Sequence, residues 1–246
     1  MQRPEAATLL HAWERGATQG PTMRGLLLLA AASPDATPAA LAATGIGERD
    51  ARLLELREAL FGSQLECIAS CPHCGERIEL GFPVRGIRAR HHAGEELLRI
   101  AAQGYEVEFR LPSSADLLAV ESTPDAAMAE RDLLGRCLVS ATTEQGEPCG
   151  APDLPGGVIE AIDQRMGEID AQAQVELDLT CPACTQPARS IFDIVTHLWS
   201  ELETWARAQL RDVHAIASGY GWSEPQILAL SPARRRAYLE LLGAAG

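Results

Sequence analysis

Apolar residues recur at helical spacing through the first 66 residues, which predicts a helical N-terminal region. Leu9, Leu10 and Trp13 form the first apolar stripe, and a Gly-Pro pair near residue 20 interrupts it. Three further helices are predicted over residues 24–32, 38–45 and 49–61.

The spacing of the apolar residues changes near Leu65, and three later segments alternate apolar with polar residues. This two-residue period is typical of a strand with one buried face. The predicted strands cover residues 78–82, 105–111 and 175–179. Capping and turn residues favour helices over residues 113–120, 125–139 and 158–166. Exposed loops are predicted at residues 143–157 and in the polar stretch that holds Arg85, Arg88, Arg90, His91 and His92.

The longest predicted helix covers about residues 192–219 and carries a continuous apolar face. Ser223 and Gln226 have the spacing of a capping box, which predicts a short helix over residues 224–230. Pro232 is suited to the first position of a last helix. The chain is therefore expected to end in a pair of short helices.

Four of the seven cysteines form two Cys-Pro-x-Cys turns, each beside a predicted strand. Such a turn places two thiolates on one side of a metal ion, and two turns supply the four sulfurs of a tetrahedral zinc site. Proline after the first cysteine fixes φ and helps to shape the turn. The predicted structural zinc ligands are Cys71, Cys74, Cys181 and Cys184.

Two alternatives to structural zinc are a redox-active cysteine pair and a site that has lost its metal. A redox pair needs one reactive thiol at a helix N-terminus, whereas two matched pairs favour zinc. Catalytic zinc is not expected, because four thiolates leave no open coordination position. Cys67 lies outside the ligand spacing, Cys137 is expected in an apolar core and Cys149 in a loop. His73, inside the first turn, is expected to be an exposed turn residue.

The two cysteine turns are far apart, since 106 residues lie between Cys74 and Cys181, against roughly 15–20 in a compact zinc ribbon. The predicted fold is therefore α+β and mainly helical, with a split zinc ribbon of short antiparallel strands and an insertion over about residues 83–174. The predicted regions are residues 1–66 (N-terminal helices), 67–192 (ribbon with its insertion) and 193–246 (long helix and C-terminal helix pair).

The composition describes an acidic globular chain, with a net charge of −13 and 46 % hydrophobic residues. That charge repels phosphate-rich partners, so nucleic acid is not the expected ligand. The absence of a long apolar run and of a targeting pattern predicts a cytoplasmic protein without membrane insertion, or one carried from the cytoplasm into a particle. No phosphate-binding loop, G-x-S-x-G or H-E-x-x-H motif occurs, so neither an enzyme nor a small-molecule substrate is expected.

The C-terminal helix pair carries a large apolar surface beside three consecutive arginines. Three adjacent arginines point in different directions around a helix, which argues against one basic face for a nucleic-acid groove. Docking onto a protein is therefore favoured, and a zinc-ribbon regulator that binds nucleic acid through this end is the alternative. The predicted partner-binding residues are Trp222, Ile227, Leu230, Arg234, Arg235 and Tyr238.

Several blocks of the sequence carry a family resemblance. The run from Tyr220 to Leu239, with the preceding Val213-His-Ala-Ile-Ala, resembles the C-terminal signature of small assembly and baseplate proteins of contractile-tailed phages and extracellular contractile injection systems. Other blocks are similar to the baseplate hub assembly proteins of such phages. These blocks are Ile46-Gly-Glu-Arg-Asp, Leu53-Leu-Glu-Leu-Arg, Phe61-Gly, Cys71-Pro-His-Cys-Gly, Phe109-Arg-Leu-Pro, Ala115-Asp-Leu, Phe192-Asp-Ile and Leu198-Trp.

The resemblance covers most of the chain apart from the loop near residues 141–157. It implies a non-enzymatic role in building a baseplate or its hub, with other baseplate or tail proteins of the same gene cluster as partners. Two roles fit it equally, a transient assembly chaperone and a permanent component of the particle.

Overall fold

The computed structural model describes residues 2–89 and 97–244, so the predicted loop residues Arg90, His91 and His92 lie outside the described part. The helices are α1 (Ala6–Gly16), α2 (Pro21–Ala32), α3 (Pro38–Ala42), α4 (Ile46–Phe61), α5 (Ser114–Val120), α6 (Ala126–Cys137), α7 (Gly156–Ile169), α8 (Ile194–Tyr220), α9 (Glu224–Leu228) and α10 (Pro232–Ala244). The strands are β1 (Gln64–Ser70), β2 (Arg77–Pro83), β3 (Leu98–Ala102), β4 (Tyr105–Phe109), β5 (Leu138–Thr143), β6 (Val175–Thr180) and β7 (Pro187–Phe192). The predicted α+β class with small antiparallel sheets is confirmed.

The largest hydrophobic core joins the two ends of the chain, because α8 packs against α1, α2 and α4. Fully buried leucines from α2, α4 and α8 fill this core, among them Leu28, Leu53 and Leu198. Burying one such side chain contributes roughly 1.5–3 kcal/mol relative to leaving it exposed.

None of the helices in the described ranges combines the length and hydropathy that a bilayer-spanning segment needs.

Two β-hairpins, β1–β2 and β6–β7, each turn at one cysteine pair and have the same strand register. Leu65 lies opposite Phe82 in the first hairpin, and Val175 lies opposite Phe192 at the corresponding positions of the second. The rings of Phe82 and Phe192 pack edge to face, with centroids 6.0 Å apart. The hairpins are therefore two copies of one motif that meet at equivalent residues.

The first strand of the first hairpin, β1, and the second strand of the second hairpin, β7, were not predicted from the spacing of apolar residues. Each carries an isoleucine on its solvent side: Ile68 is 56 % exposed and Ile191 is 67 % exposed. An apolar residue on the solvent-facing side removes the alternation of apolar and polar residues that identifies a half-buried strand. The predicted boundary between residues 66 and 67 consequently falls inside β1.

The segment between the hairpins builds its own core around the antiparallel sheet β3–β4–β5 and the helix α7. The predicted helix over residues 125–139 is too long, because α6 ends at Cys137 and Leu138 already pairs with Phe109 in the sheet. The predicted exposed loop at 143–157 is also wrong at its end, since Leu154 is only 6 % exposed and packs in this core.

Asp116 connects the parts of this inserted segment. Its buried carboxylate accepts hydrogen bonds from both Nη atoms of Arg110, at 2.7 and 2.9 Å, and from Nε of Arg136 at 3.1 Å. The hydroxyl and amide of Ser113 also donate to it, which completes a capping box for α5. The Arg110 guanidinium beside Asp116 holds the pKa of that carboxyl well below its usual range.

A second ion pair fixes α4 against α8 at the point where α4 leads into the first hairpin. Arg57 is 3 % exposed and donates two hydrogen bonds to the Glu201 carboxylate, at 2.9 and 2.6 Å. It also donates to the carbonyls of Gly62 and Gln64. Burial raises the pKa of Glu201, but the hydrogen bonds from Arg57 and the neighbouring His197 together outweigh it and lower that pKa to about 2.

We expect Glu201→Gln to reduce the free energy of unfolding by about 2 kcal/mol, because it leaves the buried Arg57 charge without a counter-ion. Glu203→Gln is the matched control on the same helix, since Glu203 pairs with the exposed Arg207. Its effect should stay below about 0.5 kcal/mol. Chemical denaturation measures both, and equal effects would contradict this account of Arg57.

The same ion pair predicts a pH dependence. The folded-state pKa of Glu201 is about 2, against an ordinary value of 4.5. Its stabilising contribution is therefore complete above the ordinary value and is lost as the pH falls from 4.5 towards 2. Unfolding measured across this range should show a shallower loss of stability in Glu201→Gln than in the wild type.

Candidate metal centre

Each cysteine turn is built by the same pair of backbone hydrogen bonds. The amide of Cys71 donates to the carbonyl of Glu76 at 2.8 Å, and the amide of Gly75 donates to the carbonyl of Cys71 at 2.9 Å. The second turn repeats these bonds at 3.0 and 2.9 Å between the equivalent residues. Both turns therefore present their two cysteines in the same way.

The two turns face each other, and all four sulfurs lie within 4.8 Å of one another. The Sγ atoms of Cys71 and Cys184 are 3.7 Å apart, and those of Cys74 and Cys181 are 3.6 Å apart. A disulfide would need about 2.05 Å. Tetrahedral zinc with bonds of about 2.3 Å to sulfur requires neighbouring sulfurs about 3.8 Å apart. The predicted ligands are thus brought together in a cluster compatible with a metal site.

The surroundings of the sulfurs are partly apolar. Cys71 and Cys181 are 2 % and 0 % exposed and pack with Ile78 from β2. Backbone amides of Cys184 and Ala183 donate to the Cys181 sulfur and, against the opposing effect of burial, lower the pKa of that thiol to about 7. Metal ions bind the thiolate form, so the lowered pKa of Cys181 favours coordination.

Cys74 shows the opposite tendency. A backbone hydrogen bond from Glu76 lowers the pKa of its thiol, but desolvation and the neighbouring sulfurs outweigh this bond and raise that pKa to about 12. The close spacing of the sulfurs therefore disfavours a second thiolate beside the first. A divalent cation removes this conflict, because coordination deprotonates each thiol.

The other cysteines lie outside the cluster. Cys137 is buried at the end of α6, where desolvation raises the pKa of its thiol to about 11. Cys149 packs against the core of the inserted segment, and Cys67 is half-buried on β1. His73 is exposed, as expected for a turn residue, and its Nε2 lies 3.1 Å from the carbonyl oxygen of Pro187 in the other hairpin.

Part of the predicted partner-binding set faces the interior. Ile227 is fully buried, where α9 and α10 fold back onto α8, and it packs with Val213 and Ile216. Arg235 is 6 % exposed, and its guanidinium donates to the side chain of Gln209. The sequence showed the apolar surface of this helix pair, but α8 covers much of it.

The rest of that set keeps an accessible part. Trp222 and Tyr238 are half-buried and pack edge to face with centroids 4.8 Å apart. Leu230 is half-buried, and Arg234 is exposed. These four residues therefore stay predictions for contact with a partner.

Residue 185 distinguishes the two turns and was missed by the sequence reasoning. Gly75 ends the first turn at φ +76°, and Thr185 holds the equivalent position of the second at φ +60°. A β-branched residue is strained in this left-handed region, which glycine enters freely. The hydroxyl of Thr185 donates to the carbonyl of Cys184 at 2.7 Å, which offsets part of the strain.

We expect Thr185→Gly to raise the free energy of unfolding of the metal-loaded protein by up to about 1 kcal/mol, because it removes left-handed strain. The reciprocal change, Gly75→Thr, should lower it by a similar amount. Thermal unfolding in zinc-containing buffer measures both. A destabilised Thr185→Gly would show that the hydroxyl contact outweighs the strain.

The chain is similar to a known protein family. A protein-family model described as "T4 bacteriophage base plate protein" matches residues 36–199, about two thirds of the chain. No curated protein sequence and no solved structure matches the chain. The matched region contains all four clustered cysteines and ends within α8. The chain therefore belongs to the T4 bacteriophage base plate protein family.

Proposed function

We propose that the protein is a non-enzymatic structural or assembly component of the baseplate of a contractile phage-tail-like system, stabilised by one zinc ion. The observation that carries the proposal is the family match over residues 36–199. Membership of this family supports a role in a phage baseplate, through contacts with other baseplate or tail proteins. The protein would fold in the bacterial cytoplasm and act there as an assembly chaperone or enter the particle.

Four thiolates are a ligand set that favours zinc and closes its coordination shell. The ion would therefore be structural and would hold the two hairpins together. Apparent binding energies of such sites are roughly 10–16 kcal/mol at neutral pH, and they add to folding stability when the unfolded chain has no site. The metal would in this way stabilise the arrangement of α4 and α8, which adjoin the hairpins in sequence.

The C-terminal helix pair is the proposed docking element. It lies beyond the family-matched region and exposes Arg234 together with parts of Trp222, Leu230 and Tyr238. Its removal would be a poor test, because Ile216 on α8 would lose its cover. Single substitutions of accessible residues separate docking from folding more cleanly.

Purified protein should contain about one zinc ion per chain by elemental analysis. Cys71→Ser and Cys181→Ser should lose the metal and lower the melting temperature, because each removes one of four ligands. Cys149→Ser is the matched control, since this cysteine lies outside the cluster, and it should keep both properties. Zinc-free protein with unchanged melting of Cys71→Ser would refute the metal site.

Deletion of the gene from its tail cluster should yield particles without a complete baseplate, and expression of the wild-type chain in trans should restore them. Electron microscopy of purified particles gives the readout. Mass spectrometry of the restored particles distinguishes a permanent component from a chaperone that leaves. Complete baseplates in the deletion strain would contradict the proposed function.

A further inference from the structure

A groove of about 890 Å³ lies where the start of α1, the end of α4 and the C-terminal helix pair meet. Apolar side chains supply much of its lining. They include Leu60, Phe61, Trp205, Leu228 and Leu230. The groove is separate from the cysteine cluster, none of whose residues lines it.

Arg235 lines this groove with an incompletely satisfied guanidinium. The residue is 6 % exposed, one Nη atom donates to the side chain of Gln209, and Nε has no hydrogen-bond partner. Within residues 2–89 and 97–244, no carboxylate forms an ion pair with it. A buried cation without a counter-ion is costly in free energy.

The other buried arginines of the described chain show what Arg235 lacks. Arg49 is 6 % exposed and contacts the Asp50 carboxylate at 2.7 Å. Arg57 is 3 % exposed and contacts Glu201 at 2.6 Å. Each of these guanidinium groups has its carboxylate within the chain, and Arg235 has only a neutral amide. The expected missing partner is therefore a carboxylate from outside the chain.

The start of α1 adds a second positive feature to the groove. This helix begins at Ala6, which lines the groove with Ala7, and no side chain caps its first turn. Helix N-termini carry free N–H groups and a partial positive charge, so they attract anions. Glu5 and Glu224 also line the groove, and the negative charge of both opposes anion binding there. Neither carboxylate forms an ion pair with Arg235.

We propose that this groove binds an acidic segment of another baseplate or tail protein, whose Asp or Glu carboxylate pairs with Arg235. The planar fork of a guanidinium binds a carboxylate more strongly and more specifically than an ammonium group does. Apolar neighbours of that acidic residue would pack on Trp205, Leu228 and Leu230. A polyanion such as nucleic acid fits less well, because the chain carries a net charge of −13 and the groove is largely apolar. The inference rests on the proposed function, which supplies the class of partner.

The test uses the full chain and an array of overlapping peptides from the proteins encoded in the same tail cluster. Peptides that bind should contain Asp or Glu beside apolar residues, and the matching Asn or Gln peptides should bind about tenfold or more weakly. Arg235→Gln should weaken binding of the acidic peptides to the same extent. Arg236→Gln, an exposed neighbour on the same helix, is the matched control and should bind as the wild type does.

Arg235→Lys keeps the charge but loses the fork, so its affinity should fall between those of the wild type and Arg235→Gln. Melting temperature and zinc content confirm that each variant is folded. If Arg235→Gln fails to fold, Arg235→Lys and the altered peptides still decide the question. Unchanged binding by a folded Arg235→Gln, or capture of peptides that lack acidic residues, would overturn the proposal. Preference for duplex DNA over the peptides would overturn it as well.

The two proposals fail in different ways. If the deletion strain builds complete baseplates, the baseplate role is wrong whatever the peptides show. If particles form only when this chain is expressed, but the Arg235→Gln variant also restores them and binds the acidic peptides normally, only the carboxylate site is wrong.

Discussion

Four cysteine sulfurs from two hairpins lie within 4.8 Å of one another, although 106 residues separate the two cysteine pairs along the chain. Closing a loop of about 100 residues costs on the order of 4–5 kcal/mol of chain entropy in the cross-link model. A four-thiolate metal site is strong enough to offset that cost. The remaining architecture follows from this contact, because α4 leads into the first hairpin and α8 follows the second.

The packing around the cluster reinforces the same arrangement. Phe82 and Phe192, at equivalent positions of the hairpins, meet edge to face, and the Arg57–Glu201 ion pair joins the helices that flank them. The segment between the hairpins has its own core, organised by Asp116, and can therefore pack as an insertion. The C-terminal helices lie at the far end of α8, and the residues that line the groove around Arg235 do not include any of the four clustered cysteines.

The sequence predicted the features that local chemistry determines. Two Cys-Pro-x-Cys turns identified the sulfur cluster, and helical periodicity located α1, α4 and α8. The strands β1 and β7 were missed because Ile68 and Ile191 face solvent. The start of β5 was taken for helix because Leu138 and Val139 continue the apolar pattern of α6. These errors share a cause, since each strand carries a β-branched apolar residue that faces solvent: Ile68 in β1, Ile191 in β7 and Val139 in β5.

The burial of the C-terminal residues could not be predicted either, because it depends on their packing against α8. Their composition indicated a contact surface, but only the position of α8 shows that Ile227 and Arg235 are buried. Nothing in three consecutive arginines distinguishes the buried one from its two exposed neighbours. Long-range contacts therefore decide which of these residues are buried in the fold and which stay accessible.

Zinc-edge X-ray absorption on the purified full chain tests the central claim, that one metal ion closes the fold through the four cysteines. The account predicts a single shell of four sulfurs at about 2.3 Å from zinc. A shell of nitrogen or oxygen ligands, or protein that carries no zinc while its cysteines are paired as disulfides, would contradict it.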